Sequence, residues 1–112
     1  MNEDFVSFEL AKKLKEKGFD WRVDYAYDNG GECKYIITEY DVDYIPAPTI
    51  SQVLKWLRKK KKIHLRPSVY HIGWDFDITT TEGERIYDSI GRYKSYEHAI
   101  LAGIEYYLDN LF

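Results

Sequence analysis

Apolar residues recur along this chain with two periods, and the change from one to the other marks out its elements. Val6, Leu10, Ala11 and Leu14 fall on one side of a helix, with Lys12, Lys15 and Glu16 on the other, so the spacing predicts a helix from about Ser7 to Lys17 that Gly18 ends. Trp21, Val23, Tyr25 and Tyr27 then alternate with polar or small residues, the period of a strand with one buried face. After Asp28-Asn29-Gly30-Gly31, a return strand runs from Glu32 to Tyr40 with Cys33, Tyr35 and Ile37 in phase. A three-residue loop pairs Tyr27 with Cys33, Tyr25 with Tyr35 and Val23 with Ile37. A two-residue loop sets them against Glu32, Lys34 and Ile36, so the pattern selects the three-residue turn with a glycine bulge.

Residues 41–48 read as a loop. Thr49 and Gln52 then form a capping box that opens a second helix, with Ile50, Val53, Leu54 and Leu57 as its stripe, Trp56 beside it and a stop near Lys61. Ile63 and Leu65 make a short apolar stretch, and Pro67 reads as a break. Tyr70, Ile72, Trp74, Phe76 and Ile78 then alternate as one long strand. Glu82-Gly83 turns the chain, Arg85 to Tyr93 returns, and Ser95 caps a last helix with the stripe Tyr96, Ala99, Ile100, Gly103, Ile104, Tyr107 and Leu111. Ala99 and Gly103 allow that helix to approach a sheet closely.

The expected order is α-ββ-α-ββ-α, an α+β fold in which one four-stranded antiparallel sheet carries the helices mainly on one face. Trp21, Asp24, Gly30 and Tyr40 match Trp74, Asp77, Gly83 and Tyr93 at equal offsets, which raises the question of an internal duplication. The other sheet face carries Arg22, Asp24, Lys34, Thr38, His71, Asp75, Asp77 and Arg92. It also carries Ile36, Tyr40, Ile86 and Ile90, four residues poorly suited to water. An open antiparallel face with apolar residues rimmed by charge is expected to be a docking surface for a protein partner or a second copy of the chain, the alternative being that a helix crosses to cover these residues or that they are scattered singly.

Composition limits the rest. A length of 112 residues fits a single domain over 1–112, and 45% hydrophobic with 31% charged residues is globular rather than disordered. Eleven Tyr, five Phe and three Trp favour half-buried pleated surfaces. One cysteine excludes an intrachain disulfide, and with no apolar run long enough for a membrane the chain is expected in the cytoplasm. A formal charge of −3 argues against a protein devoted to gripping phosphate backbones.

Three constellations could carry chemistry. His71, Asp75 and Asp77 have even spacings on one strand face, but a metal site usually needs more His or Cys, and alternating polar residues are what a one-sided sheet requires. Glu39, Asp41 and Asp43 lack the glycine and distal Glu of a calcium loop. Cys33 sits in no nucleophile context, so no catalytic residue, metal or cofactor is assigned. The one basic cluster is Arg58, Lys59, Lys60, Lys61 and Lys62, where Trp56 could stack on a base. It supports nucleic-acid binding as the alternative function, although lysines at a helix end also complement its dipole.

Tyr44-Ile-Pro-Ala-Pro-Thr-Ile-Ser-Gln-Val-Leu-Lys-Trp-Leu-Arg58 and Ser95-Tyr-Glu-His-Ala-Ile-Leu-Ala-Gly-Ile-Glu-Tyr-Tyr-Leu108, with the opening Asn2 to Ser7 and Ala11 to Phe19, resemble a family of small uncharacterised proteins of gut Bacteroidetes and their phages. The resemblance implies a bacterial or phage cytoplasm and an accessory role, and supplies no catalytic residues. The expected function is therefore a non-enzymatic protein-interaction or regulatory domain.

Overall fold

The computed structural model describes residues 5–28, 30–35, 45–70, 73–89 and 93–112. The chain divides into two compact units, Met1–Val53 and Leu54–Phe112. Each unit carries its own antiparallel sheet of three strands. The α+β class holds, and the single four-stranded sheet does not.

In the first unit, α1 (Phe8–Glu16) starts at Ser7, whose Oγ accepts from the Leu10 N–H at 3.2 Å. It ends with Phe19 N–H donating to Leu14 C=O and Gly18 N–H to Lys15 C=O, around a left-handed Gly18 (φ +93°). This paired closure satisfies carbonyls that the helix leaves open and buries Phe19 with Leu14. Strand β1 (Tyr25–Tyr27) pairs with β2 (Cys33–Tyr35) in the expected register, Tyr25 opposite Tyr35 and Tyr27 opposite Cys33. The expected partners Val23 and Ile37 cannot be compared, because Ile37 lies outside the described residues. A further strand, β3 (Ile45–Pro46), occupies the other edge of β1 inside what reads as a loop. An edge position suits Pro46, which has no N–H to give a ladder. Tyr27 is held from above as well, its hydroxyl donating to the Val6 carbonyl and its ring lying edge-on to Phe8.

Helix α2 (Ile50–Trp56) begins with the expected capping box. Thr49 N–H donates to Gln52 Oε1 at 2.8 Å, and Gln52 N–H donates to Thr49 Oγ1 at 3.2 Å. The helix continues as a π-helical turn over Leu57–Lys61, and Lys62 closes it in the left-handed region (φ +59°) with its N–H on Leu57 C=O.

The second sheet has the order β4-β5-β6, with β4 Ile63–Tyr70, β5 Gly73–Thr80 and β6 Arg85–Asp88. Tyr70 pairs with Gly73, so the chain reverses between them, and the expected long strand from Tyr70 to Ile78 is instead the end of one strand and the body of the next. Pro67 lies inside β4, opposite Phe76, rather than breaking it. β4 is an edge strand, where a missing N–H is tolerated. Helix α3 (Tyr96–Tyr106), capped by Ser95 Oγ on the His98 N–H, packs on β4 and β5 and continues as a π-helical turn over Tyr107–Leu111. Gly103 makes that approach possible, since a Cβ there would stand 2.8 Å from Leu65 Cδ1 and 3.0 Å from Phe76 Cδ1. Phe76, 2% exposed, centres a ring cluster with Tyr87, Tyr93 and Tyr106. No helix among the described residues is long and apolar enough to cross a membrane.

Candidate functional site

Ile86 is the one residue of the four expected to dock a partner that lies within the described residues. Tyr87 faces Ile78 and Arg85 faces Thr79, which leaves Ile86 as the extra residue of a β-bulge on an edge strand. It is 41% exposed. The bulge sits beside a cleft of about 460 Å³, with Ile63 and Ile86 among its lining, Lys61 and Lys62 on the helical side and Glu82 and Glu84 on the turn side.

The cleft walls are fixed by backbone bonds. Thr81 N–H donates to Lys62 C=O at 2.9 Å, joining the helix end to the turn. Within the turn, Thr80 N–H donates to Glu84 C=O at 2.7 Å, Gly83 N–H donates to Thr80 C=O at 3.0 Å, and Glu84 N–H reaches Thr80 Oγ1. Gly83 adopts φ +95°, which an L-residue rarely takes.

Of the four residues expected to form a docking face, Ile36, Tyr40 and Ile90 lie outside the described residues. The two hairpins that carry the set belong to different sheets, so they do not share one open sheet face. In the basic cluster, Arg58, Lys59, Lys60 and Lys62 are exposed. Lys61 is half-buried, its Nζ 4.0 Å from the Phe112 ring centroid and 5.9 Å from that of Trp56. Trp56 itself is 2% exposed and stacks on Phe112 at 6.4 Å, so its faces do not stand open for a base as its place beside the helix stripe implied. A tryptophan next to a stripe of Ile, Val and Leu widens the buried arc, and that is the signal favouring a core role.

His71 lies outside the described residues. Asp77 is held by Arg66, with Nε to Oδ1 at 3.1 Å and the second nitrogen 3.4 Å from Oδ2. Asp75 Oδ1 is buried without a hydrogen-bond partner among the described residues. No group of three or more His, Cys, Asp or Glu among the described residues is placed to hold a metal ion. Cys33 is a free, exposed cysteine, and desolvation raises its thiol above the ordinary value.

The chain matches no protein-family model, no curated protein and no solved structure.

Proposed function

We propose that this chain is a non-enzymatic protein-interaction domain with an accessory or regulatory role, and that it engages its partner at the cleft beside β6. One observation carries the reading: Ile86 is lifted out of the ladder by a bulge and left exposed at a cleft whose lining also includes the buried Ile63, between charged rims on backbone held by hydrogen bonds. An apolar centre with a charged rim on rigid backbone is the make-up of a protein-docking site. The resemblance to proteins of gut Bacteroidetes and their phages supports an accessory role in a bacterial or phage cytoplasm.

Affinity capture from native lysate tests it, with wild type and Ile86→Lys compared at matched thermal midpoints. A partner recovered by the wild type and absent from the variant is the expected result. Equal recovery by both removes Ile86 from the site.

The run of exposed cations at Arg58, Lys59 and Lys60 favours a second reading, binding of nucleic acid without stacking on Trp56. That reading requires affinity for a single-stranded oligonucleotide that falls steeply with salt and is lost in a Lys59→Glu/Lys60→Glu variant. Glu82 and Glu84, across the cleft from the helical end, and the net charge of −3 weigh toward the first.

A further inference from the structure

The two walls of the cleft differ in sign. Lys62 stands at the end of the helical segment, and Glu82 and Glu84 stand in the β5–β6 turn. All three are exposed, and none makes an ion pair among the described residues. Their backbones are nevertheless tied together, Thr81 to Lys62 and Thr80 to Glu84, so the charges are carried on walls that do not need to move to receive a ligand. A ligand of one sign gains at one wall and is repelled at the other, which disfavours phosphate chains and uniformly acidic or basic segments. A segment bearing both signs is attracted at both walls, and an apolar group between them meets the exposed Ile86, while Ile63 in the same lining is buried.

Strand geometry sets the spacing within such a segment. In an extended chain, residues two apart share a face, so the charges belong two positions to either side of the apolar residue. Resting on the protein-interaction reading, we infer that the cleft binds an extended segment of a protein partner whose central apolar side chain is flanked, two residues away on each side, by one acidic and one basic side chain.

A titration followed by amide NMR tests this on the full chain with three capped probes: Asp-Thr-Val-Thr-Lys, Asp-Thr-Val-Thr-Asp and Lys-Thr-Val-Thr-Lys. The mixed-charge peptide is expected to shift Ile63, Thr81 and Ile86 saturably and to bind roughly 3-fold tighter than either control, the scale of exposed ion pairs. In Lys62→Glu the turn wall stays acidic and the helical wall keeps only the half-buried Lys61 beside the added carboxylate, so the all-basic peptide is expected to become the tightest of the three. Equal affinities for the three probes, no saturable shift at millimolar peptide, or an unchanged order in Lys62→Glu overturns the inference. Loss of a native partner in Ile86→Lys, combined with full retention in both Lys62→Glu and Glu84→Lys, overturns it while leaving the interaction reading in place.

Discussion

The two three-residue turns of this protein share three hydrogen bonds and have opposite surroundings. At the first, Asp28 N–H donates to Glu32 C=O, Gly31 N–H donates to Asp28 C=O, and Glu32 N–H reaches Asp28 Oδ1. At the second, Thr80, Gly83 and Glu84 repeat those bonds, with Thr80 Oγ1 in place of the carboxylate. Gly31 and Gly83 both take positive φ, +82° and +95°. Yet a Cβ on Gly31 would stand 3.3 Å from the Phe8 ring, whereas one on Gly83 would meet nothing within 4 Å. The first turn is packed under α1, and the second is left open beside the candidate cleft. Backbone chemistry decides that a turn forms, while the side chains packed on it decide whether the turn can serve as a surface.

The comparison also bears on duplication. The bonding patterns match Gly31 with Gly83 and Glu32 with Glu84, an offset one residue shorter than the one that aligns Trp21 with Trp74 and Gly30 with Gly83. Trp74 lies in β5, whereas Trp21 precedes β1. The three sequence matches within the described residues, Trp21 with Trp74, Asp24 with Asp77 and Gly30 with Gly83, therefore do not occupy equivalent places in the two hairpins, and Tyr40 lies outside the described residues.

The largest expected effect sharpens the contrast at the sheet itself. The central strand of the second sheet is held by α3 through Phe76, so Phe76→Ala should lower stability by about 3–5 kcal/mol in denaturant unfolding. A loss under about 1 kcal/mol would show that the ring cluster around Phe76 is not the core of this unit. Next in size is Gly103→Ala, which drives a methyl into Leu65 and Phe76 and should cost about 1–3 kcal/mol. Helix propensity alone predicts the reverse sign, since alanine is favoured over glycine within a helix. The direction of the change is thus a clean measure of how closely α3 approaches the sheet.

Much of this architecture is legible in the sequence where a local interaction determines it. Ser7, Thr49 with Gln52, and Ser95 cap their helices through bonds spanning three residues, and Gly18 closes α1 through bonds spanning three to five. The β1–β2 register follows because only one loop length places Tyr25 and Tyr27 opposite Tyr35 and Cys33. The reversal between Tyr70 and Gly73 is harder to read, because Tyr70 and Ile72 happen to continue the even phase of Trp74, Phe76 and Ile78. A signal is nonetheless present. Ile63, Leu65 and Val69 are odd and Trp74, Phe76 and Ile78 are even, and a single strand cannot change phase without a bulge or a reversal. Strand β3 has no such signal, since two residues beside prolines carry no period. The cleft is not legible either: it depends on the Ile86 bulge and on the bond from Thr81 to Lys62, both set by tertiary pairing.

A smaller effect tests the turn comparison directly. Asparagine tolerates the left-handed region better than other residues with a side chain, so Gly83→Asn should cost only the backbone strain of φ +95°, about 1 kcal/mol. Gly31→Asn has the same backbone requirement and must also displace the Phe8 ring, which should add on the order of 1 kcal/mol. Equal thermal midpoints for the two variants would mean that Phe8 yields freely and that the first turn is as open as the second.

The smallest expected effect is a difference in alkaline sensitivity at Tyr27, whose counterpart by turn bonding, Thr79, cannot titrate near neutral or alkaline pH. Burial is the main cause that raises the Tyr27 phenol above its ordinary value, with the Cys33 thiol opposite it adding to the shift. The protonated hydroxyl is also the donor to the Val6 carbonyl, a bond that phenolate cannot make. A raised folded value means that the unfolded chain loses its proton first. The stability associated with Tyr27 is therefore fully present below about pH 10, the unfolded value, and is lost as pH rises through the folded value. Tyr27→Phe removes both the bond and the titration. At pH 8 the variant should be the less stable, by about 1 kcal/mol for the lost hydrogen bond. As pH rises beyond 10 the wild type should fall faster and the gap between the two should close. Tyr106 and Tyr107, whose phenols desolvation also raises, are present in both proteins and contribute equally to the background. Urea midpoints measured for the pair from pH 8 to about pH 11 decide the matter. Parallel curves would place the Tyr27 hydroxyl in water rather than under Val6, and would leave the first turn without the packed setting that distinguishes it from the second.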